Sequence, residues 1–379
     1  MNIIVIGGGA SALMFASLLP KKTVTVIEKN SAPGAKIAIS GGGQCNVTNQ
    51  IMSPEFFLAS RTFIAPSLHT LSQYDLIEWL RRRGVALVLK KGTQYFCKEQ
   101  AKALLNLLKK ESKKQTFLYS ETVESVSKRG AFFYVKTDKR ILSADAVVVA
   151  SGGLSFPKLG ASGIGYEIAA AFGHTMVKTA PALVGFTVQK EQFFFKELSG
   201  ASADVVISVH GKECRGSLLF THKGLSGPAV LDASLYWERG KIEIDFLPRF
   251  PWETVQKSKK LLSSLLPLPK RVTKAFLLQL NLHDKAGDTV SKSELEQLKG
   301  LRHYSFAPAG TFGYSKAEVT KGGVDTTEVM SETLMSKKTE GLFFIGEVLD
   351  VTGQLGGYNF QWAFSSAAQC AQFFMGRNV

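Results

Sequence analysis

The chain has 379 residues, and its 46 Lys and Arg outnumber its 31 Asp and Glu to give a formal net charge of +15. This length predicts two or three domains, and a composition of 45% hydrophobic and 20% charged residues excludes a largely disordered chain. The four cysteines are far apart in the sequence, which disfavours a metal site and is typical of reduced thiols in the cytoplasm. We therefore expect a cytoplasmic protein without a metal and without membrane association.

The first thirty residues predict a dinucleotide-binding βαβ unit. An apolar strand over residues 3–6 runs into a glycine-rich turn, then into a helix without breakers as far as Pro20. A second apolar strand over residues 23–27 ends in Glu28. A glycine turn between strand and helix, followed by an acid at the end of the next strand, is a specific signature of nucleotide binding.

Each position of this unit has a physical role. Gly7 permits the tight turn, Gly9 lets a pyrophosphate approach the helix N-terminus, and Ala12 keeps the helix close to the strand. Glu28 is placed to accept hydrogen bonds from both hydroxyls of a ribose, and it would repel a 2′-phosphate. The unit therefore predicts FAD or NAD in preference to NADP.

A second glycine-rich stretch over residues 33–49 favours FAD over NAD. The isoalloxazine ring and ribityl chain of FAD need a further cradle where backbone amides approach closely. Cys45, in this stretch, has no cysteine near it in sequence, so we expect a small packed residue in preference to a redox-active thiol.

Further along the chain, residues 60–114 predict helices, and short alternating segments over 121–127 and 131–137 predict an antiparallel meander. A buried strand over 145–150 leads into a diglycine. From about residue 189 to 317 the character changes to short strands and helices of an insertion.

The last part of the chain predicts the far half of the FAD site. A buried strand over 341–345 ends in Gly346 and Glu347, whose carboxylate suits a ribityl hydroxyl. Gly356 and Gly357 precede a final helix whose N-terminal dipole would favour negative charge at the flavin N1–C2=O edge.

These motifs together resemble the aminoacetone-oxidase-like bacterial flavoproteins, which are labelled NAD(P)/FAD-dependent oxidoreductases. The resemblance rests on residues 7–12, 36–49, 151–157, 220–228 and 346–359, and it spans nearly the whole chain. Ala35, Gln44, Phe156 and Ile164 depart from the family's usual residues, two of them by loss of an arginine.

The resemblance implies an α/β fold, a glutathione-reductase-type FAD-binding Rossmann domain with an inserted β-barrel and a small helical subdomain. The FAD-binding domain would comprise residues 1–188 and 318–379, and the insertion residues 189–317. It also implies one non-covalent FAD. Motifs and resemblance together give one set of cofactor-binding residues, which comprises Gly7, Gly9, Ala10, Ser11, Ala12, Glu28, Lys29, Lys36, Ser40, Gly41, Gly42, Asn46, Val123, Ala150, Ser151, Gly152, Gly346, Glu347, Gly356, Gly357, Tyr358, Asn359 and Phe360.

Candidate catalysts follow from residue type alone. An amine substrate must lose a proton before it transfers a hydride to flavin N5, so a general base is expected near the ring. The candidates are His222 and Tyr358. A buried structural histidine is an equally good interpretation of His222. Between residues 160 and 330 no second strand–glycine–helix unit is found, so a dedicated NAD(P)H domain is not expected, although transient NAD(P)H docking stays possible.

Three functions remain open. The first is oxidation of a small amine or ketone, as in aminoacetone oxidase, with dioxygen or another acceptor taking the electrons. The second is NAD(P)H-dependent reduction of an unsaturated or carbonyl compound. The third is an RNA-associated flavoprotein that uses the basic region 81–114, although a solvated surface is the simpler interpretation of that charge.

Overall fold

The computed structural model describes residues 1–90 and 92–376. The chain divides into two compact units, one formed by Met1–Pro181 with Val319–Val379 and the other by Ala182–Glu318. The first segment of the first unit contains β1 (Asn2–Ile6), α1 (Ala10–Leu18), β2 (Thr23–Glu28), α2 (Ala35–Ile39), β3 (Asn46–Asn49), β4 (Phe57–Leu58), α3 (Arg61–Thr70), α4 (Gln73–Arg82), β5 (Leu87–Lys90), β6 (Gln94–Cys97), α5 (Gln100–Glu111), β7 (Thr116–Tyr119), β8 (Val123–Arg129), β9 (Phe132–Thr137), β10 (Ile141–Ala144), β11 (Ala146–Val149), α6 (Ile164–Ala171) and β12 (Met176–Ala182).

The second unit and the return of the chain to the first unit supply the remaining elements. The second unit contains β13 (Phe186–Thr187), α7 (Phe194–Glu197), β14 (Ser202–Val209), β15 (Lys212–Thr221), β16 (Gly224–Ser226), α8 (Pro228–Tyr236), β17 (Ile242–Asp245), α9 (Leu262–Leu265), α10 (Lys270–Gln279), α11 (Lys292–Lys299), β18 (Tyr304–Phe306) and β19 (Gly310–Thr311). The return contains β20 (Val319–Val324), β21 (Leu342–Phe344), β22 (Thr352–Gly353) and α12 (Tyr358–Gly376).

A five-stranded parallel sheet in the order β21-β11-β1-β2-β7 forms the centre of the first unit. Its inner strands are continuous apolar runs because both faces of a parallel sheet are covered, and Val5 and Val148 are fully buried. Helices α1 and α12 meet through Phe15 and Phe374, whose ring centroids lie 5.7 Å apart. The predicted α/β Rossmann fold is thus the observed one.

Two smaller antiparallel sheets complete this unit. Strands β10, β9 and β8 form the predicted meander. The expectation of helices throughout residues 60–114 is wrong for residues 87–97, where β5 and β6 pair with each other and β6 pairs with β3. The partner strand β3 is about fifty residues earlier in the sequence, so local periodicity could not reveal this pairing.

The second unit is built on a seven-stranded antiparallel sheet with the order β18-β17-β14-β15-β16-β13-β19. This sheet stands where the resemblance implied a β-barrel, and helices α7 to α11 belong to the same unit. The unit begins at Ala182, earlier than the expected residue 189, because β13 pairs with β16 and β19 of the same sheet. Fully buried Phe195, Phe220 and Phe246 lie in its core.

Within residues 1–90 and 92–376, the structure contains no helix that combines the length and the apolar character needed to cross a bilayer.

Candidate functional site

The glycine turn between β1 and α1 has the form that a pyrophosphate requires. Gly7 adopts a φ of 97°, and a Cβ there would lie 2.7 Å from the carbonyl oxygen of Ala150. A Cβ on Gly9 would meet no atom within 4 Å, so the space before α1 is open. No side chain caps this helix N-terminus. Its first N–H groups are therefore positioned to bind an anion.

Glu28 is buried and held in place by backbone donors. Its Oε2 accepts from the N–H of Gly8 at 2.7 Å, and its Oε1 accepts from the N–H of Asn30 at 2.7 Å. A carboxylate offers about four lone-pair sites, so both oxygens retain capacity for ribose hydroxyls. Lys29 beside it is exposed.

The second glycine loop presents bare backbone. Gly41, Gly42 and Gly43 have φ values of 55°, 66° and 87°. A Cβ on Gly42 or Gly43 would meet nothing within 4 Å, and one on Gly41 only the backbone nitrogen of Asn46 at 3.7 Å. The Ser40 hydroxyl donates to the carbonyl of Ile37 at 2.8 Å. This loop therefore offers the close backbone approach predicted for the flavin half of FAD.

An ion pair joins the second glycine loop region to the end of the chain. Lys36 Nζ lies 2.7 Å from Glu347 Oε2, and Glu347 Oε1 accepts from the N–H of Thr320 at 2.9 Å. Gly346 has a φ of 73°, and a Cβ there would lie 2.7 Å from the hydroxyl oxygen of Ser11. The end of β21 thus packs directly on the first turn of α1.

The turn before α12 is braced by amide side chains. Asn359 exchanges two hydrogen bonds with the backbone of Gly353, at 2.9 and 2.8 Å. The amide orientation of Asn46 that satisfies its neighbours places its oxygen 3.2 Å from the Gly357 N–H. Gly356 accepts from the side chain of Asn49 at 3.0 Å. Both glycines have positive φ values, so the predicted glycine pair is held in one conformation.

The other predicted cofactor residues lie in the same unit. Ala150 and Ser151 follow β11 and face Gly7, while a Cβ on Gly152 would lie 3.9 Å from Glu347 Oε2. Val123 is the first residue of β8. Two residues before it, the N–H of Glu121 donates to the carbonyl of Glu28 at 3.2 Å. Further residues of the set are Ala10, Ala12 and Phe360, which are located in α1 and α12.

The two candidate catalysts, Tyr358 and His222, have different surroundings in the structure. The Tyr358 hydroxyl donates to the carbonyl of Ile51 at 3.1 Å, and its ring stacks on Phe56 with centroids 4.9 Å apart. Tyr358 is therefore buried in a structural arrangement. His222 lies in the turn between β15 and β16 and lines a cavity of about 370 Å³ within the second unit, together with Lys223, Phe312 and other residues of that unit. A catalytic role for either residue stays a prediction.

Sequence reasoning missed Thr320. Its hydroxyl oxygen accepts from the N–H groups of Leu154 at 2.8 Å and Ser155 at 3.1 Å, beside the predicted diglycine. Thr320 also donates its own N–H to Glu347. A threonine 166 residues away from its partner carries no local signal in the sequence.

The donor groups of the first unit fit FAD. An uncapped helix N-terminus, an open position at Gly9, a fixed acid at Glu28 and a bare loop at Gly42 are the four features that its phosphates, ribose and ring require. These residues would hold the cofactor.

Comparison with known proteins identifies the family. The HI0933-like protein Rossmann domain model matches residues 1–373. The chain belongs to this family. It is an FAD-dependent oxidoreductase.

Three relatives match across nearly their whole length. A protein named ribosomal RNA dihydrouridine synthase from Haemophilus influenzae is 40% identical, with 97% of each chain covered. A protein of the same name from Escherichia coli K12 is 38% identical, with 98% of this chain and 97% of the relative covered. A 3-dehydro-bile acid delta(4,6)-reductase from Clostridium scindens is 29% identical over 96% of each chain.

Solved structures show a more distant likeness. A 3-ketosteroid-delta4-(5alpha)-dehydrogenase from Rhodococcus jostii RHA1 is 14% identical, with a TM-score of 0.48 and with 97% of this chain and 96% of that chain covered.

Proposed function

We propose that this protein reduces the C5=C6 double bond of a uridine in ribosomal RNA, giving dihydrouridine. The observation that carries the proposal is the match, at 40% identity over 97% of both chains, to a relative named for this activity. The reaction combines two of the functions left open by the sequence, reduction of an unsaturated compound and association with RNA. Aminoacetone oxidation, with dioxygen as acceptor, stays an untested prediction.

The charge of α5 supports an RNA partner. Lys102 and Lys110 of α5 and Lys113, just beyond its end, are exposed and spaced three to eight residues apart, whereas Leu104 and Leu108 of the same helix are buried. Within residues 1–90 and 92–376, none of these three lysines is in an ion pair. Such a row, which we name the lysine row, suits the phosphates of a nucleic acid.

The arginines of the same basic region are already paired. Arg81 and Arg82 both bind Glu78, at 2.7 and 2.6 Å, and Arg83 binds Glu111 at 2.9 Å. Lys91, also in this region, lies outside the described residues. The region 81–114 would therefore present its unneutralised charge mainly through lysines.

The chemistry divides between cofactor and chain. FAD, when bound and reduced by NADPH or NADH, would supply the hydride. The chain has to hold the ribose and phosphates through Glu28 and the turn at Gly9, bind the RNA backbone, and deliver one proton to the uracil ring. His222 is the candidate proton donor on residue type, and within the second unit it lines a cavity with Lys223 and Phe312.

The decisive experiment is nucleoside mass spectrometry of ribosomal RNA transcripts incubated with the FAD-loaded protein and NADPH or NADH. The proposal expects one uridine per RNA molecule to gain two hydrogen atoms. His222→Gln should lower the rate while FAD absorbance is retained, with His303→Gln, on the exposed surface, as the matched control. Absence of dihydrouridine, together with peroxide formation from aminoacetone, would favour the oxidase instead.

RNA binding is tested separately by changing Lys102, Lys110 and Lys113 together to Gln. The affinity for ribosomal RNA should fall, and the dependence of log K on log salt should become shallower by up to about three charges. Lys257, Lys259 and Lys260, exposed in the second unit, provide a control triple substitution of equal charge. An equal loss of RNA affinity in both variants would show that the positive charge attracts RNA without a specific binding surface.

A further inference from the structure

The structure brings together two cysteines that are far apart in the sequence. Asn46 of β3 pairs with Phe96 of β6, and one step along the same ladder the N–H of Cys97 donates to the carbonyl of Cys45 at 3.1 Å. Cys45 and Cys97 are therefore cross-strand neighbours. Cys45 is buried, as expected of a small packed residue, and the structure adds a neighbouring thiol from a strand that local sequence does not predict.

Their side chains meet as well. The two thiols are close enough for each to shift the pKa of the other. Residues opposite each other in an antiparallel pair have Cα atoms about 4.5 to 5.5 Å apart, which falls inside the range of roughly 4.4 to 6.8 Å found for disulfides. Closing a bond between Cys45 and Cys97 therefore needs little movement of the backbone.

The two thiols differ in acidity. The pKa of Cys45 is lowered, mainly by the neighbouring Cys97 thiol and less strongly by Ser40, against the opposing effect of burial. The pKa of Cys97 is raised by the neighbouring Cys45 thiol and by burial. Cys45 is thus the thiol that loses its proton first and becomes the nucleophile.

A glycine-rich loop lies next to this pair in the sequence. Cys45 has a φ of 55° and is separated by Gln44 alone from the loop of Gly41, Gly42 and Gly43, in which no side chain shields the backbone. Gly41 and Gly42 are exposed. The thiols themselves are buried, so a small oxidant reaches Cys45 only when the neighbouring loop opens.

We propose that Cys45 and Cys97 are a redox-modification site that closes reversibly to an intramolecular disulfide when exposed to a small peroxide. The Cys45 thiolate attacks one oxygen of hydrogen peroxide, the O–O bond breaks, and Cys45 becomes a sulfenic acid as hydroxide leaves. The Cys97 sulfur then attacks the Cys45 sulfur, the S–O bond breaks, and Cys97 gives up its proton as water leaves. Two thiols lose two electrons and two protons, and peroxide becomes two waters.

The other cysteines do not share these features. Burial raises the pKa of Cys370, and it raises that of Cys214 to about 12. In the described part of the chain, neither has a hydrogen bond to another thiol. The proposal therefore distinguishes one pair among the four cysteines, and it depends on neither RNA nor the identity of the substrate.

The test is peptide mapping of the purified full chain, treated with graded hydrogen peroxide and then alkylated under denaturing conditions. We expect two of the four thiols to become unreactive, with a linked peptide containing Cys45 and Cys97 that disappears after dithiothreitol. Cys214→Ser should leave this link unchanged. A wild-type protein that keeps four reactive thiols, or that links Cys214 or Cys370 instead, overturns the proposal without any variant.

Variants test the assigned roles. In Cys97→Ser, oxidation should stop at a sulfenic acid on Cys45 that dimedone captures, while in Cys45→Ser neither the link nor a dimedone adduct on Cys97 should form. The assignment of Cys45 as the nucleophile would be refuted by one result. In that result, Cys45→Ser forms a dimedone adduct on Cys97 as fast as Cys97→Ser forms one on Cys45.

Discussion

Lys36 and Glu347 form an ion pair at 2.7 Å although 311 residues separate them in the chain. The pair joins α2, which precedes the second glycine loop, to the turn after β21. Glu347 is held a second time by the N–H of Thr320. The carboxylate predicted to bind the ribityl chain is thus oriented by the lysine predicted to bind the same cofactor.

Removing one member of this pair should weaken FAD binding more than folding. The side chains of Lys36 and Glu347 are 37% and 21% exposed, so we expect Lys36→Met to lower the free energy of unfolding by only about 0.5 to 1 kcal/mol. FAD retention during gel filtration should fall further, because Glu347 loses its orientation. Lys21→Met, on the surface, is the matched control. Equal FAD retention in Lys36→Met and Lys21→Met would contradict this role.

Two glycines of the first turn should respond in opposite ways. Gly7→Ala should lower the free energy of unfolding by about 2 kcal/mol or more, because φ is 97° and the Cβ would lie 2.7 Å from a carbonyl oxygen. Gly9→Ala should change it by no more than about 0.5 kcal/mol, since φ is −79° and the space is open. Its FAD affinity should nevertheless fall at least tenfold, about 1.4 kcal/mol. Urea unfolding and FAD titration measure the two effects, and the prediction fails if Gly9→Ala binds FAD normally.

The buried amide of Gln361 should matter for stability. It accepts from the Thr48 hydroxyl at 2.6 Å and donates to the carbonyl of Leu71 at 2.8 Å. Gln361→Ala leaves the buried Thr48 hydroxyl without its acceptor, whereas the Leu71 carbonyl keeps its hydrogen bond from Ser365, so the free energy of unfolding should fall by about 1 to 3 kcal/mol. Gln297→Ala, on the exposed surface of α11, should have little effect on urea unfolding. Similar midpoints for both variants would show that the buried network contributes little.

His174 should make stability depend on pH. Its side chain is buried with Nε2 2.7 Å from the Ser336 hydroxyl, and burial lowers its pKa below the ordinary value of 6.5, against the attraction of Glu328. As pH falls below 6.5, the unfolded chain binds a proton that the folded chain does not yet accept, so stability decreases until the lowered folded pKa is reached. Unfolding free energies measured between pH 7.5 and 5 should show this decrease in the wild type and a flatter profile in His174→Gln. A steeper profile in the variant would show that the sign is wrong.

Local sequence was sufficient for the parts of the site built from neighbouring residues. The strand, turn and helix around Gly7 and Gly9, the acid at Glu28 and the glycines before α12 are all where periodicity and turn chemistry place them. The reason is that a βαβ unit forms from contiguous residues and its glycines are required by backbone geometry. The hairpin of β5 and β6 was missed, since its strands are defined by pairing with β3.

The Rossmann architecture and the glycine-rich cradle follow from the amino-acid sequence, because hydrophobic periodicity and glycine spacing are local properties of the chain. The meeting of distant residues is visible in the folded structure alone, as for Lys36 with Glu347, Thr320 with the backbone of Leu154, and Cys45 with Cys97. Each of these contacts joins elements that are far apart in the sequence. They come together through the pairing of distant strands or the packing of turns, so neither residue type nor local spacing predicts them.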